Sequence, residues 1–538
     1  MKTEKILLCY KDFTDAGDDR FFLFSDNIIS EKNSQEICSE DSFLICHDYW
    51  LIAPALFKNI QTLPDNAIDI YEFNASISGS NTVRKLRDKS DIKNFIALSA
   101  LDPTSTEYEA EKALITKYFD MFYKKTIFEL SVYENIARLI LTKWTTLKEK
   151  AISLNENSRF FEIEVPIFNI LYKHTSPGIF INEEKLREHK SNIEYEYYKQ
   201  LKNFSSKFSL PLEVPSDNTV IEYLQEQGYN FDEYSVDYVL EFVPTSYNFS
   251  DDVINIRKIN SSRNILSSVT YSQKKCTPII DIFGSITSRI YFKDPVFQNM
   301  AKHHRNIISA DVGKVLTYVD YDQFEVGIMA ALSEDSLMLS LYQEQDIYKY
   351  LAERIFGEPS MRKLSKRLFL SYAYGMKMND LVSAAQSLGA DRNKVREFFR
   401  QFNTFEAWKK QIHNIFFESG EIGTINGNFL RRDASDQPLT EKEKRSCVSQ
   451  VVQGTASLIF KKALIAIHET NSFRIILPMH DAVLVEHSSD TNPSELLTVF
   501  IEVMSSTLGN KVKAKASFEN FFNVEFADTL SEHPQINL

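Results

Sequence analysis

The sequence predicts a multidomain protein of mixed α+β and α/β class, and three observations predict it. The chain has 538 residues, room for about three to five domains and their buried cores. Short β-rich runs alternate with polar segments over the first 125 residues, the mark of an α/β domain. From Ile279 onward strands alternate with long helices, the pattern of an α+β body carrying a helical insertion.

The elements follow in order. Lys5–Cys9, Arg20–Phe24, Ser42–Cys46 and Ala67–Tyr71 read as strands, and Glu107–Tyr123 as a helix. Residues from Thr126 to Tyr172 are helical in pattern, and Ser176-Pro177-Gly178 marks a turn before a second helix, Asn182–Phe208. That second run is charged and tyrosine-rich, and two helices so joined could form a projecting arm. Val315–Val319, Ile475–Met479 and Ala482–Val485 read as strands of the carboxy-terminal body.

Charged residues make up 25%, hydrophobic 43% and aromatic 13%, which excludes wholesale disorder. Asp plus Glu outnumber Lys plus Arg by 74 to 61, so a net charge of −13 exerts no overall pull on nucleic acid or acidic membrane. Any nucleic-acid site must be a local basic patch. Cys9, Cys38, Cys46, Cys276 and Cys447 form no C-x-x-C pair and read as packing residues in a reducing compartment. The start resembles neither a secretory signal nor a transit peptide, and no apolar run approaches the roughly 20 residues that span a bilayer. A soluble, cytoplasmic protein without a membrane partner is expected.

Two aspartates draw notice. The strand Val315–Val319 runs straight into Asp320, and His480-Asp481 interrupts two apolar strand segments as at a hairpin. If the strands are neighbours the two acids converge, and two hard oxygen donors with Mg²⁺ are what an in-line phosphoryl displacement needs. Either one alone reads as readily as a turn or helix-capping aspartate. Between them, Arg362, Lys366, Leu370 and Tyr374 recur every four residues on one drifting helix face, basic, then apolar, then aromatic. Such an order could hold a nucleoside triphosphate lengthwise; it also fits a helix with a solvated start and a core-facing end.

With these residues the chain resembles family A DNA polymerases, the group that includes bacterial DNA polymerase I. Asp320 to Glu325 is similar to the first polymerase motif, Arg362 to Gly375 to the second, and His480-Asp481 to the third. Thr287-Ser288-Arg289 and Asp294 to Asn299 resemble the family's T-G-R and D-P-N-L-Q-N segments, and Gln453 to Ala456 its Q-G-T-A helix. Weaker matches are Asp346-Ile347, Thr424 to Gly427, and Glu164 to Gly178. The likeness covers about residues 160 to 528 in consistent order.

The resemblance implies a right-hand polymerase of palm, fingers and thumb behind an exonuclease-like, RNase H-like α/β domain. The domains it implies are 1–125 exonuclease-like, 126–278 connecting helices and thumb, 279–333 first part of the palm, 334–465 fingers, and 466–538 second part of the palm. It implies template-directed extension of a primer 3′ end with dNTPs on two Mg²⁺ ions, with Mn²⁺ able to substitute. Asp320, Asp481 and Tyr321 would hold the metals, with Lys366 also catalytic. Arg362, Lys366, Leu370, Tyr374, Glu325, Gln323 and Tyr321 would bind the nucleotide, Glu325 obstructing a 2′-hydroxyl. Arg289, Gln298, Asn299, Gln453 and His480 would meet primer–template DNA. The expected protein is a monomer, with replication accessory proteins as further partners, encoded by a phage or mobile element.

The departures matter as well. Ala482 stands where an acid commonly follows the histidine–aspartate pair, Leu370 where Phe or Tyr is usual, Ser371 where Gly is usual, Asp322 in place of Ser, and Gly327 in place of an arginine. In the amino-terminal domain the exonuclease acids are missing: no D-x-E in Leu7–Asp12, Ile52 four residues after Asp48, and Lys112 four after Tyr108. No proofreading is expected. The alternatives are a catalytically weak or inactive primer–template-binding subunit, separated by a primer-extension assay, and a nuclease, separated by incubation with metal and no nucleotides.

Overall fold

The computed structural model describes residues 3–12, 19–79, 106–122, 126–228, 236, 240, 248–432 and 437–522. Tyr123 of the expected helix and the end of the family likeness at 528 lie outside the described residues.

The amino-terminal strands β1 (Glu4–Tyr10), β2 (Arg20–Ser25), β3 (Ile28–Lys32), β4 (Phe43–Cys46) and β5 (Ala67–Asp69) form one sheet in the order β3-β2-β1-β4-β5. β1 to β3 are antiparallel, whereas β4 runs parallel to β1 and β5 parallel to β4. The sequence did not announce β3, whose residues are mostly exposed and lack alternation. It forms because Asp26 and Asn27 both take positive φ, the two-residue turn that matches the twist of a hairpin. The expected strand Ala67–Tyr71 stops at Asp69, whose carboxylate accepts the backbone N–H of Tyr71 and Glu72 and caps the helix Ile70–Ser78.

Beneath this sheet the core runs on past residue 125. Helix Leu130–Ser153 buries Val132, Tyr133, Ile136, Ala137, Ile140 and Trp144 at helical spacing, and Phe160 and Val165 join the same cluster.

The chain divides into two compact units, each drawn from separate stretches. One comprises Met1–Gly178, Thr277–Lys293 and Gln411–Thr507; the other Ile179–Cys276, Asp294–Lys410 and Leu508–Leu538. The boundaries fall inside each of the segments expected as 126–278, 279–333, 334–465 and 466–538. In the first unit, the 29-residue helix Glu441–Glu469 packs against helix Ser494–Thr507 and against the hairpin of Glu421–Thr424 with Gly427–Arg431. The approach is close at Gly454, where a Cβ would lie 2.9 Å from the Thr424 methyl group, so any larger residue would force the Thr424 side chain or the hairpin to shift.

In the second unit, helix Glu183–Phe208 starts at an Asn182 cap and packs on helix Phe249–Ser268, with Leu201, Phe204, Phe208, Phe249, Val253 and Ile256 in one core. Strand Lys314–Tyr321 pairs antiparallel with Ala516–Phe518. Among the described residues no helix is long and apolar enough to cross a membrane. All five cysteines are free and four are buried.

Candidate active site

In the second unit the strand Lys314–Tyr321 carries Asp320 within it, half-buried and opposite Ser517. Asp322 is engaged elsewhere: its Oδ1 accepts from Ser517 Oγ at 2.7 Å, and its N–H donates to the Lys515 carbonyl. The Tyr321 ring stacks on Phe324 at 4.3 Å, and burial raises its phenol pKa well above the usual value. Gln323 turns the chain into helix Phe324–Ser333 with φ of 52°, and its side-chain oxygen accepts the Ile347 N–H at 3.0 Å.

Helix Arg362–Ala373 has the two faces that its spacing implied. Ser365, Leu368, Phe369, Tyr372 and Ala373 are buried, whereas Arg362 and Leu370 are half-buried and Lys366 is exposed; Tyr374, half-buried, caps the helix end. Arg362 donates from Nε and Nη2 to Asp346 Oδ2 at 2.9 and 2.7 Å. Asp346 at the same time caps helix Ile347–Leu351 through the N–H groups of Tyr348 and Lys349. The Arg362 guanidinium and the Lys366 ammonium both lie over the Tyr348 ring, at 5.5 and 5.8 Å. Tyr374 donates to Glu325 Oε2 at 2.7 Å, joining the end of one helix to the first turn of another. The structure therefore gathers Arg362 and Lys366 at Tyr348, and Glu325 with Tyr374. Sequence reasoning missed Tyr348; its position two residues after the capping Asp346 was the available signal.

The turn Phe297–Asn299 of the same unit buries Gln298, 7% exposed, and leaves Asn299 exposed. Of this pair, only Asn299 offers its side chain to solvent.

In the first unit the strands Arg474–Met479 and Ala482–Ser488 form a hairpin with Met479 opposite Ala482. His480 and Asp481 occupy its turn, His480 at φ 44° and Asp481 exposed. The His480 ring meets Tyr291 edge-on at 4.8 Å; burial, then the Arg289 charge, lowers its pKa to about 4. His480 is therefore neutral at pH 7, and its Nδ1 is buried without a hydrogen-bond partner among the described residues. Ala482, at the position of the missing acid, is fully buried. Gln453 is half-buried on helix Glu441–Glu469.

Among the described residues no group of three or more His, Cys, Asp or Glu is gathered for a metal. Asp320 and Asp481 belong to different units; each carboxylate, like a main-chain carbonyl, is a hard oxygen donor of the kind that suits Mg²⁺ rather than a softer metal.

The amino-terminal domain holds a cavity lined by Leu8, Cys9, His47, Asp48, Ile52 and Phe122 among others, with Tyr118 on its wall. His47 bridges Asp48 Oδ2 at 3.1 Å and the Tyr118 hydroxyl at 3.3 Å. Tyr118 and Phe122, which have the spacing of Tyr108 and Lys112 further along helix Tyr108–Phe122, line the cavity; periodicity gives the face of a helix but not how far it slides along the sheet. Asp69 lies deeper, its pKa raised to about 6 by burial and then by Asp48, and its oxygens are spent on backbone N–H groups.

The chain is 24% identical over 478 residues to DNA polymerase I of Caldicellulosiruptor bescii, covering 80% of this chain and 54% of that protein. It is 27% identical over 226 residues to the thermostable DNA polymerase I of Thermus aquaticus, covering 38% and 27%. The chain thus spans about half the length, or less, of these curated relatives. In fold it is similar to the POL domain of Pol1 from M. smegmatis in complex with DNA primer-template and dNTP, with a TM-score of 0.70 at 19% identity over 96% of this chain and 94% of that one. The sequence model of DNA polymerase family A matches residues 183–521, well over half of the chain, and the protein belongs to that family.

Proposed function

We propose that this protein is a template-directed DNA polymerase that extends a primer 3′ end with deoxynucleoside triphosphates. The observation that carries the reading is the open face of helix Arg362–Ala373, whose cations, leucine and terminal tyrosine recur at one-turn spacing beside Glu325. A triphosphate laid along this face meets Arg362 and Lys366 with its phosphates, and both cations neutralise charge that builds as the leaving pyrophosphate departs. Tyr348 beneath them limits where their head groups can go. Leu370 and Tyr374 face sugar and base, and Glu325, held by the Tyr374 hydroxyl, takes the space of a 2′-hydroxyl.

Asp320, Asp481 and the Tyr321 carbonyl would hold two divalent cations, Mg²⁺ with Mn²⁺ as substitute. Bound there, such ions supply Lewis acidity for the primer hydroxyl and the departing phosphates. Arg289, Gln453, Asn299 and His480 serve the primer–template, Arg289 and Gln453 as donors to minor-groove acceptors that every correct pair displays. We assign the palm to 279–333 and 466–538, the fingers to 334–465, the connecting helices and thumb to 126–278, and the amino-terminal domain to a role other than degradation. A cytoplasmic monomer fits this reading.

Extension of a primed template with Mg²⁺ tests it. Asp320→Asn and Asp481→Asn abolish extension and leave primer–template binding largely intact, because each removes a metal ligand and no phosphate-binding cation. Near wild-type extension by either folded variant, or binding without extension by the unaltered protein, refutes the assignment.

A further inference from the structure

The turn that presents Arg289 is held by a buried ionic cluster that the proposed chemistry does not use. Ser288 has φ of 62°, a left-handed conformation that glycine adopts freely and serine does not, and it is buried. The T-G-R pattern has glycine at this position. Serine is kept there by its surroundings. Its hydroxyl accepts from Lys461 Nζ at 2.6 Å and reaches Glu164 Oε1 at 3.3 Å, and its carbonyl accepts from Ser457 Oγ at 2.5 Å. Either side of it, the Arg289 N–H donates to Ser285 Oγ and the Gly284 N–H to the Arg289 carbonyl.

Lys461 is 1% exposed and also binds Glu164 Oε2 at 2.6 Å; Glu164 in turn pairs with Arg159, and Arg159 with Glu156. Two cations and two anions balance, which a buried set requires. Gln453, Ser457 and Lys461 are spaced four residues apart on helix Glu441–Glu469 and so share one stripe. The same helix that carries Gln453 therefore grips the residue before Arg289.

We infer that Lys461, Glu164 and Ser457 are positioning residues that clamp Ser288 in its left-handed conformation and thereby fix Arg289 relative to Gln453, setting how strictly the enzyme tests the geometry of the primer-terminal base pair. The inference rests on the polymerase reading above. Arg289 and Gln453 touch the DNA; the clamp acts only through them. Its distinguishing mark is that glycine at 288 makes the clamp dispensable.

The test is extension from matched and from mismatched primer termini by the full chain, scored as the ratio of their kcat/KM values. Lys461→Met lowers the ratio about tenfold, the equivalent of ~1.4 kcal/mol of lost discrimination. Adding Ser288→Gly to it restores the ratio, and Ser288→Gly alone keeps it. Ser457→Ala, which removes one hydroxyl and little volume, lowers it by a smaller factor and decides the matter if Lys461→Met does not fold. An unchanged ratio in folded Lys461→Met or in Ser457→Ala overturns the inference, as does a lowered ratio that Ser288→Gly fails to restore. If Arg289→Ala itself leaves the ratio unchanged, the assigned role of Arg289 falls, and the clamp with it. If the unaltered protein extends no primer, the polymerase reading is what has failed.

Discussion

Replacing Glu325 by alanine should let ribonucleotides in. The Glu325 carboxylate is half-buried in the first turn of its helix and pinned by the Tyr374 hydroxyl at 2.7 Å, so it cannot swing aside without breaking that bond. A 2′-hydroxyl adds one oxygen to a filled place, and overpacking of this size costs ~1–3 kcal/mol, or roughly 5–160-fold in relative kcat/KM. Glu325→Ala therefore raises ribonucleotide use relative to deoxynucleotide use within that range. Glu325→Gln keeps the bulk and an acceptor for Tyr374, and retains most of the discrimination. Tyr374→Phe leaves the carboxylate in place but unpinned; a charge-assisted bond in a half-open site is worth ~0.5–1 kcal/mol, so about 2–5-fold is lost. The assay is single-nucleotide incorporation of both sugar types on one primed template. A folded Glu325→Ala that extends with dNTPs at an unaltered ratio refutes the reasoning and puts sugar selection elsewhere.

Leu370→Tyr should weaken discrimination against dideoxynucleotides, since a phenol can stand in for the missing 3′-hydroxyl at ~0.5–1.5 kcal/mol; equal discrimination in an active mutant means that Leu370 does not face the sugar. The unaltered protein should not shorten a labelled primer in the presence of metal, and degradation lost on mutating the cavity at Asp48 contradicts this. Stability should fall as pH drops below about 6.5, because burial, then His468 and Arg474, depress the His174 pKa to about 3, so the ring is neutral when folded and protonated sooner when unfolded. Its Nδ1 accepts the Ile475 N–H, and its Nε2 meets His468. His174→Asn, which can still accept that N–H, should flatten the melting-temperature profile between pH 6.5 and 4; an unaltered slope assigns the effect to other groups.

The site was legible where chemistry and periodicity coincide. Arg362, Lys366, Leu370 and Tyr374 declared one helix face by their spacing, and the opposite residues are the buried ones. Asp320 announced itself by ending an apolar run, although the strand continues through it to Tyr321 because Ala516 and Ser517 supply a partner some 195 residues away in sequence. Long-range pairing of that kind leaves no local trace. The same reason hid Lys461, which reads as one more lysine on an amphipathic helix until Glu164 and Ser288 are found around it. In the amino-terminal domain the sequence could not tell which tyrosine faces the cavity, since Tyr108 and Tyr118 share a helix and only packing chooses between them.

The buried Glu156 has a bearing on how the protein is made. Its two oxygens accept the backbone N–H groups of Asn428 and Phe429, and it pairs with Arg159. A ribosome delivers Glu156, Arg159 and Glu164 long before residues 428 and 461 leave the exit tunnel. Until then these early charges have no dry place to go, so the segment around 156–164 must stay hydrated while the sheet above it assembles. Nascent chains halted before residue 461 should hold a formed amino-terminal sheet over an unfinished floor, exposed to proteases at the helical stretch that follows Ser153. Emergence of residues 428 and 461, and not merely of the amino-terminal sheet, is then the event that closes the first unit.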